Sequence, residues 1–130
     1  MNGLTLAGAV GVARVLAANR ILTDMDISSG RIPDAGAAII GRGLLLNDSL
    51  SSLRMSNNPM TSLGASRLLA AIEENVDSRL CMLDIQSVVV YDDVFAILAR
   101  LKERLSSFRL ICSDSFATRR AASTATQCDS

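Results

Sequence analysis

Two unrelated residue types keep one spacing along the chain: Gly8, Gly36 and Gly64 are evenly spaced, and Asn19, Asn47 and Asn75 recur at the same interval. Aliphatic positions follow in the same phase, as Leu4, Ile32 and Met60, as Val12, Ile40 and Leu68, and as Leu16, Leu44 and Ile72. A period of roughly 28 residues means copies of one supersecondary unit, and because no copy buries its apolar face alone, the copies must stack. Composition agrees: 49% of the 130 residues are hydrophobic and only 3% aromatic, so the core has to be assembled from aliphatic side chains of graded size. That length suits one domain.

Each unit reads as a helix and a short strand. After each glycine the apolar residues come at every fourth position, as in Gly36, Ile40 and Leu44, which is the spacing of one helix face. Between helices lie Leu22-x-x-Met25-x-Ile27, Leu50-x-x-Leu53-x-Met55 and Leu80-x-x-Leu83-x-Ile85, whose final alternation belongs to a strand with inward and outward faces. Leu105-x-x-Phe108-x-Leu110 reads as a fourth copy. Parallel strands are expected near residues 24 to 27, 52 to 55, 82 to 85 and 108 to 111, joined by right-handed crossovers.

The chain resembles the ribonuclease-inhibitor-type leucine-rich repeats, whose unit is LxxLxLxxN followed by a helix. The match runs from residue 2 to about residue 112. Asn58-Pro59 and the segment Leu98-Ala99-Arg100-Leu101-Lys102-Glu103-Arg104 are similar to the C-terminal end of the leucine-rich repeat-containing protein 74 group. The resemblance implies an α/β solenoid, a horseshoe segment with short parallel strands on a concave face and helices on a convex face. It also implies a turn asparagine after each strand, present at Asn2 and Asn58 but replaced by Gly30 and Val88. Glycine can follow a tight turn, whereas β-branched Val88 offers no side-chain donor, so the turn after the third strand should be bonded differently.

The expected organisation is a repeat domain over residues 1–112, closed by a cap helix at 92–104, then a disordered Ser/Thr-rich tail over 113–130. Asp92 and Asp93 suit the N-cap of that helix, and its basic end complements the helix dipole. The first helix has one charged residue, Arg14. Leu4, Leu6, Val12 and Leu16 are therefore expected at an uncovered stacking edge, through which the chain self-associates or continues into further repeats of a longer protein. Arg14 inside the first apolar stretch, with no Lys or Arg before it, argues against a signal peptide, and that stretch is too short to span a bilayer.

The absence of His removes Ser-His and Cys-His dyads and imidazole metal sites. Cys81, Cys112 and Cys128 fit neither a disulfide framework nor a zinc site, which points to a reducing, cytoplasmic setting. With 13 basic and 13 acidic residues and no basic block, nucleic acid is not an expected partner. The glycine-rich start lacks the Lys-Ser or Lys-Thr of a phosphate loop, and adjacent Asp92 and Asp93 point apart, so no cofactor, metal or catalytic residue is assigned. What remains is a concave face carrying Asp26, Arg54, Asp84 and Arg109 in one row of alternating charge, with Asp24, Ser52 and Met82 beside it, as the surface for a protein partner. The expected function is a non-enzymatic protein-interaction module or scaffold, part of a longer leucine-rich repeat protein. The alternatives are a GTPase-activating type of regulator of a small GTPase, or a fragment with no independent function.

Overall fold

In the computed structural model, which describes residues 6–113, the period becomes a regular alternation of helix and strand. The helices are α1 (Leu6–Ala18), α2 (Asp34–Leu44), α3 (Ser62–Glu74) and α4 (Asp92–Arg104), and the strands are β1 (Asp24–Asp26), β2 (Ser52–Arg54), β3 (Met82–Val89) and β4 (Arg109–Ser113). All neighbouring strands pair in parallel in the order β1-β2-β3-β4, each joined to the next by one helix. Such pairing covers one sheet face with a helical layer, and the core lies between the layers, with Leu53, Leu83, Ile40, Leu68 and Leu98 among its fully buried side chains.

Small residues set how closely the helices approach. A Cβ at Gly43 would stand 2.6 Å from the Ala13 carbonyl oxygen of α1, and one at Gly64 would stand 2.6 Å from a carboxylate oxygen of Asp34 at the start of α2. Close approach also lets each repeat cap its neighbour. The Asp34 carboxylate accepts from the Thr61 N–H at 2.7 Å, the Thr61 hydroxyl at 2.7 Å and the Gly64 N–H at 2.9 Å, satisfying donors at the start of α3. Burial pushes the Asp34 carboxyl up, but these hydrogen bonds together outweigh it and hold the group below its ordinary value.

At the other end of the helices the evenly spaced asparagines form a ladder. Asn47 Nδ2 donates to the Leu16 carbonyl at 2.9 Å, and Asn75 Nδ2 donates to the Leu44 carbonyl at 2.8 Å and the Asn47 carbonyl at 2.7 Å. Each thus satisfies a carbonyl left open in the last turn of the preceding helix. The last rung is made differently. Arg104 donates from Nη2 to the Ile72 carbonyl at 2.8 Å and the Glu73 carbonyl at 3.1 Å, while Arg100 pairs with Glu73 at 2.8 Å.

Several expectations change on contact with the structure. The N-cap of α4 is Tyr91; Asp92 and Asp93 occupy the first helical turn instead, where their charge still complements the dipole. The positive φ angles of the first turn fall on Ser29 and Arg31, either side of Gly30, and Asn57 repeats the conformation of Ser29 in the next repeat. Gly30 needs no asparagine of its own, because Asn58 Oδ1 accepts from the Gly30 N–H at 2.9 Å and the Ile32 N–H at 3.0 Å across the repeat boundary. After the third strand no such turn forms: β3 runs on to Val89, and Val88 is buried among the core residues. β4 reaches Ser113, the first residue of the expected tail; residues 114–130 of that tail lie outside the described residues. Cys81 is free and exposed, whereas Cys112 is disulfide-bonded, contrary to the expectation of unpaired thiols.

Candidate protein-interaction surface

The sheet presents two rows of outward side chains. The β1–β2–β3 register aligns Asp24 with Ser52 and Met82, and Asp26 with Arg54 and Asp84, so the expected charged row is continuous through its first three members. The fourth member is not in it. Arg109 stands opposite Met82, and Ile111 stands opposite Asp84, so Arg109 belongs to the row of Asp24. The sequence pattern misaligns this copy because Phe108 fills a buried core position while Leu110 is the true partner of Leu83. Apolar size at Phe108 mimics the motif and displaces the register to the next inward position.

The side chains of these rows are held by short-range hydrogen bonds more than by one another. Asp24 accepts from the Ser52 hydroxyl and from the Thr23 hydroxyl at 3.0 Å. Those two bonds, with the nearby Arg54 charge, keep its carboxyl below the ordinary aspartate value. Asp26 accepts from the Ser28 N–H at 2.9 Å, and this bond, then the Ser28 hydroxyl and the Arg54 charge, lowers it as well. Asp84 accepts from the Gln86 N–H at 3.0 Å. Arg54 is exposed between the strands of these aspartates and acts on Asp24 and Asp26 through space. Ser52, expected at the surface, is only 8% exposed and is consumed by its bond to Asp24. Met82 is half-buried. The charged side chains exposed on this face are therefore those of Asp24, Asp26, Arg54 and Arg109.

A second unusual surface lies on α1. Leu6 is 47% exposed and Val15 45%, and Ile21 just after the helix is 86% exposed. Of the expected edge residues, Leu6 is exposed, Val12 is half-buried and packed against the core, and Leu4 lies outside the described residues. Leu16 is not at the edge: it is 1% exposed, because it belongs to the core cluster and lies on the side of α1 that meets Gly43 of α2. Val15 and Asn19 are edge residues that apolar spacing alone does not single out. Their signal lies in the period, since Asn19 recurs as Asn47 and Asn75, and Val15 takes the place in its repeat that Gly43 takes in the next.

No family model matches the chain, and no curated protein sequence matches it. Solved structures do. One, "Leiomodin-1 Actin-Binding Site 2", superposes with a TM-score of 0.73 at 18% identity over 92% of this chain and 70% of its own. Another, the tropomodulin C-terminal domain of Caenorhabditis elegans, gives a TM-score of 0.54 at 14% identity over 90% of this chain and 67% of its own. The fold is a leucine-rich-repeat-like solenoid. The narrower resemblances to ribonuclease-inhibitor-type repeats and to the protein 74 group are corrected by these matches, which lie with leiomodin and tropomodulin domains. Apolar spacing and an asparagine ladder are what stacking requires of any such solenoid, so they mark the architecture without marking the subclass. Among the described residues no helix is long and apolar enough to cross a membrane.

Proposed function

We propose that this chain is a non-enzymatic protein-interaction module whose concave face, through Asp24, Asp26, Arg54 and Arg109, docks a folded protein partner. The observation that carries the reading is the placement of these charged groups: they stand on parallel strands of one packed sheet, and Arg54 is exposed with only through-space interaction with its aspartate neighbours. Charges set in two rows on one packed sheet cost little ordering entropy on binding and give register and specificity to a partner of complementary pattern. Actin is the first partner to test, because the leiomodin-1 domain that shares the fold is named for an actin-binding site. A cytoplasmic setting belongs to the same proposal. Disulfides such as that of Cys112 are rare in reducing compartments, so the binding assay is run with and without reductant.

The test is cosedimentation with actin filaments, and fluorescence titration with actin monomers, of the unaltered chain and of Arg54→Glu and Asp26→Lys variants. Saturable binding that weakens at least about tenfold in either variant supports the reading, since unpairing a close interfacial charge typically costs more than about 1.4 kcal/mol. Binding that is unaffected by both substitutions removes the concave face from the proposal, and absence of binding removes actin.

A further inference from the structure

The packing between neighbouring helices is made twice by the same stripe of residues. In α2 and the loop after it the stripe is Gly36, Gly43 and Asn47, which meets α1; in α3 and its C-cap it is Gly64, Ala71 and Asn75, which meets α2. In α1 the corresponding stripe is Gly8, Val15 and Asn19. Its outer part faces solvent: Val15 is 45% exposed, and Asn19, whose Oδ1 accepts from the Ile21 and Leu22 N–H groups at 2.9 and 2.7 Å, has no acceptor for Nδ2 among the described residues. The core beneath is thinner by the same measure. Val12, Leu22, Met25 and Ile27 are only partly buried, while their equivalents in the next repeat, Ile40, Leu50, Leu53 and Met55, are at most 1% exposed.

We infer that the open face of α1 and β1 is a stacking site for one more helix–strand unit of the class that α2 and β2 form. The occupant sets a helix against Val15, presents the last-turn carbonyl of that helix to Asn19 Nδ2, and adds a parallel strand beside β1. This continues an interface the molecule already makes twice, with the same donor in the same place. A second copy does not supply these features. Among the described residues its other flank is α4, whose exposed Asp92, Asp93 and Glu103 are charged, and Arg104 has already closed the last rung. Two copies joined α1 to α1 would leave both Asn19 side chains idle.

The experiment compares the full chain with a chain in which a copy of residues 32–59, carrying α2 and β2, replaces residues 1–3. Each added interface contributes its own stabilising term in a solenoid, so the extended chain should melt at least ~5 °C higher. Val15→Glu and Asn19→Asp should each leave the melting temperature of the unextended chain within ~2 °C, because Val15 is solvated there and aspartate keeps the Oδ1 acceptor. In the extended chain each should remove at least about half of the gain. A two-copy extension takes the place of the single one if that does not fold. A gain untouched by both substitutions overturns the proposal, as does no gain from either extension. Sedimentation showing a dimer of the unextended chain that Val15→Glu abolishes and Asn19→Asp leaves intact also overturns it, in favour of a second copy.

Discussion

The two ends of this solenoid treat the same structural problem in opposite ways. Every helix that ends against a neighbour leaves carbonyls in its last turn and an apolar flank beside them. At the C-terminal end, α4 covers α3, Arg104 takes the Ile72 carbonyl where the period would place another asparagine, and Arg100 ties the outside to Glu73. At the N-terminal end, α1 shows Leu6 and Val15 to solvent and holds Asn19 in the ladder position with its donor unused among the described residues. Among the described residues one flank is covered and bonded by charged side chains, and the other shows apolar side chains to solvent. Burial in a repeat protein is thus a property of a repeat's neighbours as much as of its own sequence.

The largest expected consequence uses one substitution at two equivalent places. Leu50→Ala, at a position 1% exposed, should lower stability by about 2–5 kcal/mol, while Leu22→Ala, at the partly buried equivalent one repeat earlier, should cost less than about half as much. Urea unfolding measures both, and equal costs would break the comparison by showing that the first repeat is as well packed as the second. Next in size, Asn75→Ala removes a buried side chain that satisfies two carbonyls of the neighbouring repeat, and should cost about 1–3 kcal/mol. Asn19→Ala loses only exposed bonds within its own loop and should cost below about 1 kcal/mol by the same measurement. Arg104→Ala should fall between these, at about 1–2 kcal/mol, because its hydrogen bonds are charge-assisted but lie partly in solvent.

The residues that set repeat boundaries are legible because stacking selects them by period: Gly36, Gly64, Asn47 and Asn75 recur at one spacing and perform one task at each recurrence. What period alone does not show is substitution of one chemistry by another at the same place. Arg104 stands just past the position where the interval would put the next asparagine, and does the asparagine's work through a guanidinium, which no search for asparagine finds. The fourth strand is misregistered for a related reason. Phe108 is buried like a motif leucine, and only the observed pairing of Leu83 with Leu110 separates a residue that fills the core from one that sets the alternation. On the candidate surface, Asp24, Asp26 and Arg54 follow from alternation alone. The burial of Ser52 does not, since it follows from a hydrogen bond to a neighbouring strand that a single strand's pattern does not contain.

Acid should sharpen the contrast between interior and edge. Asp34 caps α3 from within the stack, and because its folded carboxyl lies below the ordinary value of 3.8, its contribution is fully present above that pH and is lost as pH falls through the folded value. Asp34→Ala should cost about 1 kcal/mol at neutral pH, as loss of a capping side chain does. The gap between variant and unaltered chain should narrow as pH falls below the ordinary value of 3.8. A gap that stays constant under acid would mean that packing around Gly64, and not the ionised carboxylate, carries the effect.

The smallest effect tests the surface row against its own register. Asp26 and Arg54 are paired across β1 and β2, whose backbones run about 4.8 Å apart, yet both side chains are exposed and Asp26 is held chiefly by Ser28. Arg54→Ala should therefore change stability by less than about 1 kcal/mol, and a double-mutant cycle with Asp26→Ala should give only a small coupling that disappears in high salt. The same cycle on Asp84 and Arg109 should give no coupling above error. The register sets Ile111, not Arg109, beside Asp84, and places Arg109 beside Met82 in the other row. A measurable Asp84–Arg109 coupling would restore the continuous row of four charges that the sequence pattern suggests. It would require β4 to slide to the next inward position, setting Phe108 opposite Leu83 and Leu110 opposite Ile85 in place of the observed pairing of Leu110 with Leu83 and Cys112 with Ile85.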